Sequence, residues 1–108
     1  MRTTYGTEIS REMVANRVDD LIGQFYKILP LKEHGSPTLT KYIKSLLREM
    51  LGMKSLMEEW QQDARYLSLI GILEYYVKNP DSDVEEVRSD VFKAINVIKQ
   101  LQEKYSTP

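Results

Sequence analysis

The sequence predicts an all-α fold, an antiparallel bundle of three to four helices over residues 8–29, 37–78 and 83–105. Three observations carry this expectation. Apolar side chains recur at steps of three and four along three long segments, two proline-bearing turns (PLKEHGSP at 30–37 and NPDSD at 79–83) separate those segments, and no strand-like alternation or internal repeat interrupts them. At 108 residues, 42% hydrophobic and 29% charged, the chain has the size and balance of a single folded domain spanning 1–108.

In the first segment Val14, Val18, Leu21, Phe25 and Ile28 form one helical face, widened by Ile22 and Leu29. Thr7 or Ser10 is placed to cap its start, and Pro30 is expected to end it. Gly23 in the interior costs about 1 kcal/mol relative to alanine, a loss that close helix packing would offset.

The second segment opens on Ser36-Pro37, a capping hydroxyl followed by proline where no N–H is needed. From there Leu39, Ile43, Leu46, Met50, Met53, Met57, Trp60, Ala64 and Leu67 step by four and three without a skip, a seam of about four heptads. A neighbouring stripe of Tyr66, Ile70, Leu73 and Val77 then takes over. Gly52 and the capping-box pattern of Ser55 with Glu58 argue for a break near 52–55, giving four helices. The unbroken phase through Met50, Met53 and Met57 favours one continuous helix, which would be about 60 Å long.

The third segment carries Val84, Val87, Val91, Ala94, Ile98, Leu101 and Tyr105 in phase, with Phe92 and Ile95 broadening the face. Ser82 and Asp83 offer capping boxes. Acid in its first turn and Lys99 and Lys104 near its end match the helix dipole.

A 60 Å helix cannot be covered by two helices of half its length, so the continuous reading leaves part of the seam open. The simplest cover is a second copy of the chain, with an interface of Met50, Met53, Leu56, Met57, Trp60 and Ala64. Charge chooses the orientation. Residues 38–56 hold Lys41, Lys44, Arg48 and Lys54 against Glu49, while residues 57–76 hold Glu58, Glu59, Asp63 and Glu74 against Arg65, so an antiparallel pair sets basic halves beside acidic ones.

The sequence offers little for catalysis. It contains no cysteine, and its five glycines stand singly, so thiolate sites and phosphate-cradling loops find no support. His34, the one histidine, lies in the first turn with no nucleophile beside it in sequence. Glu58, Glu59 and Asp63 are the nearest approach to a carboxylate metal site, but they lie on one segment and lack the repeated Glu-x-x-Glu or Glu-x-x-His pairs of helical metalloenzymes. Lys41, Lys44, Arg48 and Lys54 form a candidate face for nucleic acid or an acidic partner, set against a net charge of -1. Gly52 does not suit a helix-turn-helix, because Arg48 falls where that motif needs a small residue.

No family signature is specific enough to name. The expectation is a non-enzymatic helical protein-interaction module without a cofactor, an adaptor, assembly factor or small regulator acting as a cytoplasmic homodimer away from the membrane. The alternative is a small nucleic-acid-associated regulator using the basic face, and third a metal-dependent helical enzyme.

Overall fold

The computed structural model describes residues 1–106. Its helices are α1 (Arg11–Tyr26), α2 (Ile28–Glu33), α3 (Leu39–Leu56), α4 (Ala64–Lys78) and α5 (Val84–Ser106), with a single 3-10 turn at Glu59–Gln61 between α3 and α4. The four long helices run up, down, up and down. α1 packs most closely on α5, α5 on α4 and α4 on α3, and the short α2 closes the end of the bundle against α3 and α5.

The first helix starts where its cap allows. Ser10, in extended conformation, accepts the Met13 N–H on its hydroxyl at 3.1 Å, so Ser10 and not Thr7 is the cap. Pro30 does not end this helix. The axis turns earlier, at Lys27, and Pro30 sits in the first turn of α2, where its missing N–H costs no hydrogen bond. Gly35, at φ 61°, supplies the left-handed residue that closes α2. Ser36 accepts the Thr38 N–H at 3.2 Å in the turn ahead of α3, but the helix begins only at Leu39 with Thr38 at its cap position, so Ser36 is not the cap and Pro37 lies before the helix and not at its first position.

The segment 37–78 is two helices, and the break lies at residues 57–63, beyond Gly52. α3 passes through Gly52 and Ser55 without interruption and stops at Leu56. Met57 is extended (φ −106°, ψ 117°), and Asp63 begins α4 by accepting the Arg65 and Tyr66 N–H groups at 2.9 and 3.4 Å. The continuous 60 Å helix is therefore absent, and the whole protomer is only 42 Å in its longest dimension. The helices fold back on each other within one chain, so the uncovered length from which a dimer was argued does not exist.

The first ten residues secure this break. They form a tight turn around Gly6 (φ 83°), joined to Met57 by an isolated antiparallel bridge at Thr3. Thr4 N–H donates to the Leu56 carbonyl at 2.7 Å, and Glu58 N–H donates to the Arg2 carbonyl at 3.1 Å. The first bond satisfies one of the carbonyls that the end of α3 leaves without an intrahelical donor.

One core runs through the bundle. Val14, Val18, Leu21 and Phe25 of α1 meet Val91, Ala94, Ile98 and Leu101 of α5, with Ile43, Leu46 and Met50 of α3 and Tyr66, Leu69 and Leu73 of α4 completing it. All but Leu69 belong to the stripes read from the sequence; of the expected seam residues, Ala64 is exposed and Leu67 only half-buried, and Phe92 does not broaden the buried face of α5 but stands 48% exposed.

Gly23 and Gly52 lie inside helices with no neighbouring atom within 4 Å of where a Cβ would stand, so packing does not compensate either glycine. Gly52→Ala is accordingly expected to raise the unfolding free energy by about 0.5–1 kcal/mol. Urea denaturation followed by helical circular dichroism measures this, and a destabilised variant would contradict the open surroundings of that site.

Candidate functional site

α1 and α3 are neighbours in the bundle, yet their backbones approach least closely of the adjacent pairs, and polar side chains span the interval. Arg17 of α1 pairs with Glu49 and donates through Nε to the Met53 Sδ at 3.0 Å. Nearer the α2 end, the Tyr42 hydroxyl donates to the Gln24 carbonyl at 2.7 Å. Burial pushes the Tyr42 hydroxyl up from its ordinary value, and the nearby Glu49 carboxylate adds to the effect.

Below Arg17 the seam opens into a groove of about 390 Å³. Met13 forms one wall and Met53 and Leu56 the other, with Val14, Met57 and Trp60 beneath and the Arg17–Glu49 pair at one end. Met13 is 63% exposed and Leu56 40%, whereas Trp60 is fully buried. The groove is thus an apolar cleft with a buried aromatic floor, walled by the unbranched side chains of Met13 and Met53 together with Leu56.

The floor is fixed by an aromatic group. Trp60 stacks on Tyr66 at 4.6 Å with the rings 13° apart and meets Tyr105 edge-on. Its indole N–H donates to the Tyr105 hydroxyl at 3.0 Å, which donates in turn to the Glu59 carboxylate at 3.2 Å. Burial holds the Tyr66 and Tyr105 hydroxyls well above their ordinary range, so both are neutral donors.

Of the six residues expected at an interface, the structure brings Met53, Leu56, Met57 and Trp60 together around this groove. Met50 is instead sealed in the core, its carbonyl taking the Tyr66 hydroxyl at 2.6 Å, and Ala64 is exposed at the start of α4 without lining the groove. The α1 wall escaped the sequence reading. Ile9, Met13 and Arg17 step by four beside the main α1 stripe, and this second row was the available signal.

The other candidates separate. Lys41, Lys44 and Arg48 stand together on the outer side of α3, beside Pro37, Thr40 and Ser45, and none makes an ion pair among the described residues. Lys54 does not join them. At about 100° per residue it lies roughly 80–140° around the helix from the other three, and it is half-buried.

Two of the three acidic candidates, Glu59 and Asp63, are committed to the fold, while Glu58 is exposed in the turn after Met57. Lys104 bridges Glu59 at 3.7 Å and Asp63 at 3.3 Å, while Asp63 also caps α4. Among the described residues no three His, Cys, Asp or Glu side chains gather as metal ligands would. His34 is exposed at the end of α2. Among the described residues no helix is long and apolar enough to cross a membrane. Compared with known proteins, the chain matches no family model, no curated protein and no solved structure.

Proposed function

We propose that this protein is a non-enzymatic helical interaction module, an adaptor, assembly factor or small regulator, that holds the apolar face of an amphipathic helix in the groove between α1 and α3. The observation that carries the proposal is the incomplete closure of that one seam. Polar links hold α1 and α3 at a distance, and an apolar cleft lined by three of the five methionines opens beside them. Methionine walls adapt to anchors of different shape, which suits a surface that must receive side chains from another helix. The α3 wall from Glu49 to Leu56 is about 10 Å long, two helical turns, enough for anchors at i, i+3 or i+4, and i+7.

The methionines also provide the test. In a protein labelled at its methionine methyl groups, a synthetic amphipathic peptide with leucines at those spacings is expected to shift the Met13, Met53 and Met57 resonances. The Met50 resonance, sealed in the core, should change little. Leu56→Asp, at an exposed wall position, should abolish the response while the helical circular dichroism is retained. Absence of shifts at the three groove methyls, or shifts confined to another face, would overturn the proposal.

A further inference from the structure

We infer that the outer side of α3 binds the phosphate backbone of a nucleic-acid double helix, without reading its sequence. The inference goes beyond the groove reading and rests on other residues, so either can fail alone. It is carried by cations and hydroxyls that stand without partners around one trough.

The cluster begins in the sequence. Between Glu33 and Glu49 the chain has no carboxylate, and Lys41, Lys44 and Arg48 all fall within that stretch. Both flanking acids are engaged elsewhere, Glu33 with Arg88 of α5 and Glu49 with Arg17 of α1. At about 100° per residue the three cations lie within roughly 60° of one another around α3 and span about 10 Å along it. With Pro37, Thr40 and Ser45 they line a trough of about 490 Å³. An adjoining depression shares Lys41 and Ser45 and adds Lys27 from the end of α1, so the basic surface continues round that corner. Asp20, beside Lys27, marks its edge.

The side chains of the trough are uncommitted. Lys41, Lys44 and Arg48 form no ion pair among the described residues, and the Thr40 and Ser45 hydroxyls make no hydrogen bond there. Lysine, arginine and hydroxyl donors with no acceptor beside them are the groups that contact phosphate oxygens in nucleic-acid complexes. A double helix carries one negative charge per about 1.7 Å of its axis, so a stretch as long as the trough holds enough phosphates for every cation. The net charge of -1 gives the protein no general attraction to a polyanion, which makes binding depend on this surface.

The lining favours a duplex over its rivals. Tyr42, the one aromatic side chain there, is half-buried, with its hydroxyl on the Gln24 carbonyl and Lys27 5.4 Å from its ring centre. No ring therefore stands out for the bases of a single strand to stack on. No exposed large apolar side chain lines the surface either, so it offers nothing to insert into a bilayer.

Fluorescence anisotropy of a labelled DNA duplex, titrated with protein from roughly 50 to 300 mM salt, tests the inference. Wild-type protein is expected to bind at the lower end and to lose affinity with a log–log salt slope of about −2.7 to −3.6, as three or four phosphate contacts demand. Lys44→Glu with Arg48→Glu should weaken binding by at least about tenfold and flatten the slope by about 2. Lys93→Glu with Lys99→Glu, the same charge change at exposed positions of α5, should leave the slope unchanged. Helical circular dichroism should be retained in both variants, because all four positions are exposed. Single-stranded DNA, phosphatidylserine vesicles and poly-glutamate, matched in total charge, should each displace the labelled duplex less well than unlabelled duplex does. Absence of binding at the lowest salt overturns the inference. Equal weakening by the two pairs of substitutions would report net charge and not a site, and overturns it as well. A competitor that displaces the duplex better than duplex itself assigns the surface to another partner, with the same result.

Discussion

Replacing Trp60 by alanine is expected to lower the unfolding free energy by about 3–5 kcal/mol, the largest loss from any single substitution argued for this protein. The indole is fully buried, stacked on Tyr66 and bonded to Tyr105, so its removal opens a void between the chain break and the last turn of α5. A domain of this size holds about 5–15 kcal/mol in all, so the variant should be close to unfolding at physiological temperature. Trp60→Phe retains a ring and forfeits mainly the N–H bond and part of the stack, and about 1–2 kcal/mol is expected. Urea denaturation followed by far-UV circular dichroism separates the two. A Trp60→Ala loss below about 1 kcal/mol would mean that the indole lies outside the cooperative core.

Trp60 also explains why the break after α3 is hard to read from sequence. Met57 and Trp60 continue the three-four recurrence although residues 57–63 are not α-helical, because this segment crosses the end of the bundle and must bury its inner side. A connecting segment that roofs a core is under the same demand for apolar residues as the helices it joins. Gly52 draws attention as a breaker, yet one glycine costs a helix only about 1 kcal/mol, less than the burial of Ile43, Leu46 and Met50 returns. The legible sign of the new helix was Asp63, an N-cap residue concealed by its resemblance to an acidic face.

Elsewhere the pattern was sufficient. The buried residues of α1 and α5 are those the recurrence selects, since both helices pack along one side of the core. Phe92 differs because recurrence reports which residues share a sector and says nothing of how wide the covered sector is. The groove was half legible for a related reason. Its α3 wall belongs to the main seam, but Met13 lies outside the α1 seam and becomes part of a site only because Arg17 and Tyr42 keep the two helices apart. A spacing between helices fixed by two polar links is a tertiary property with no counterpart in either segment's periodicity.

Raising the pH above 10 is expected to unfold the protein cooperatively within about two pH units, through the tyrosines that hold its helices together. Tyr66 donates to the Met50 carbonyl, Tyr105 to Glu59, and Tyr76 to the Asp90 carboxylate and, at 3.2 Å, to the Glu86 carbonyl. Burial is the leading cause that holds all three hydroxyls above their ordinary value of 10.0, and for Tyr76 the Asp90 carboxylate adds to it. Below pH 10 folded and unfolded chains bind these protons equally, and the stability is fully present. Above it the unfolded tyrosines release theirs while the folded ones keep them, so the folded state binds more protons and each such group removes about 1.4 kcal/mol per pH unit as pH rises towards its folded value. The part of the tyrosinate absorbance that belongs to Tyr66, Tyr76 and Tyr105 should therefore appear together with the loss of helical circular dichroism, apart from the signal of the exposed Tyr5 and Tyr26. Tyr76→Phe should lose about 1–3 kcal/mol at neutral pH with the bond to Asp90 and yet show a shallower fall above pH 10, having one fewer proton to release. Helices that stay intact after all seven tyrosines have ionised would mean that these hydroxyls are solvated and that the helices do not depend on them.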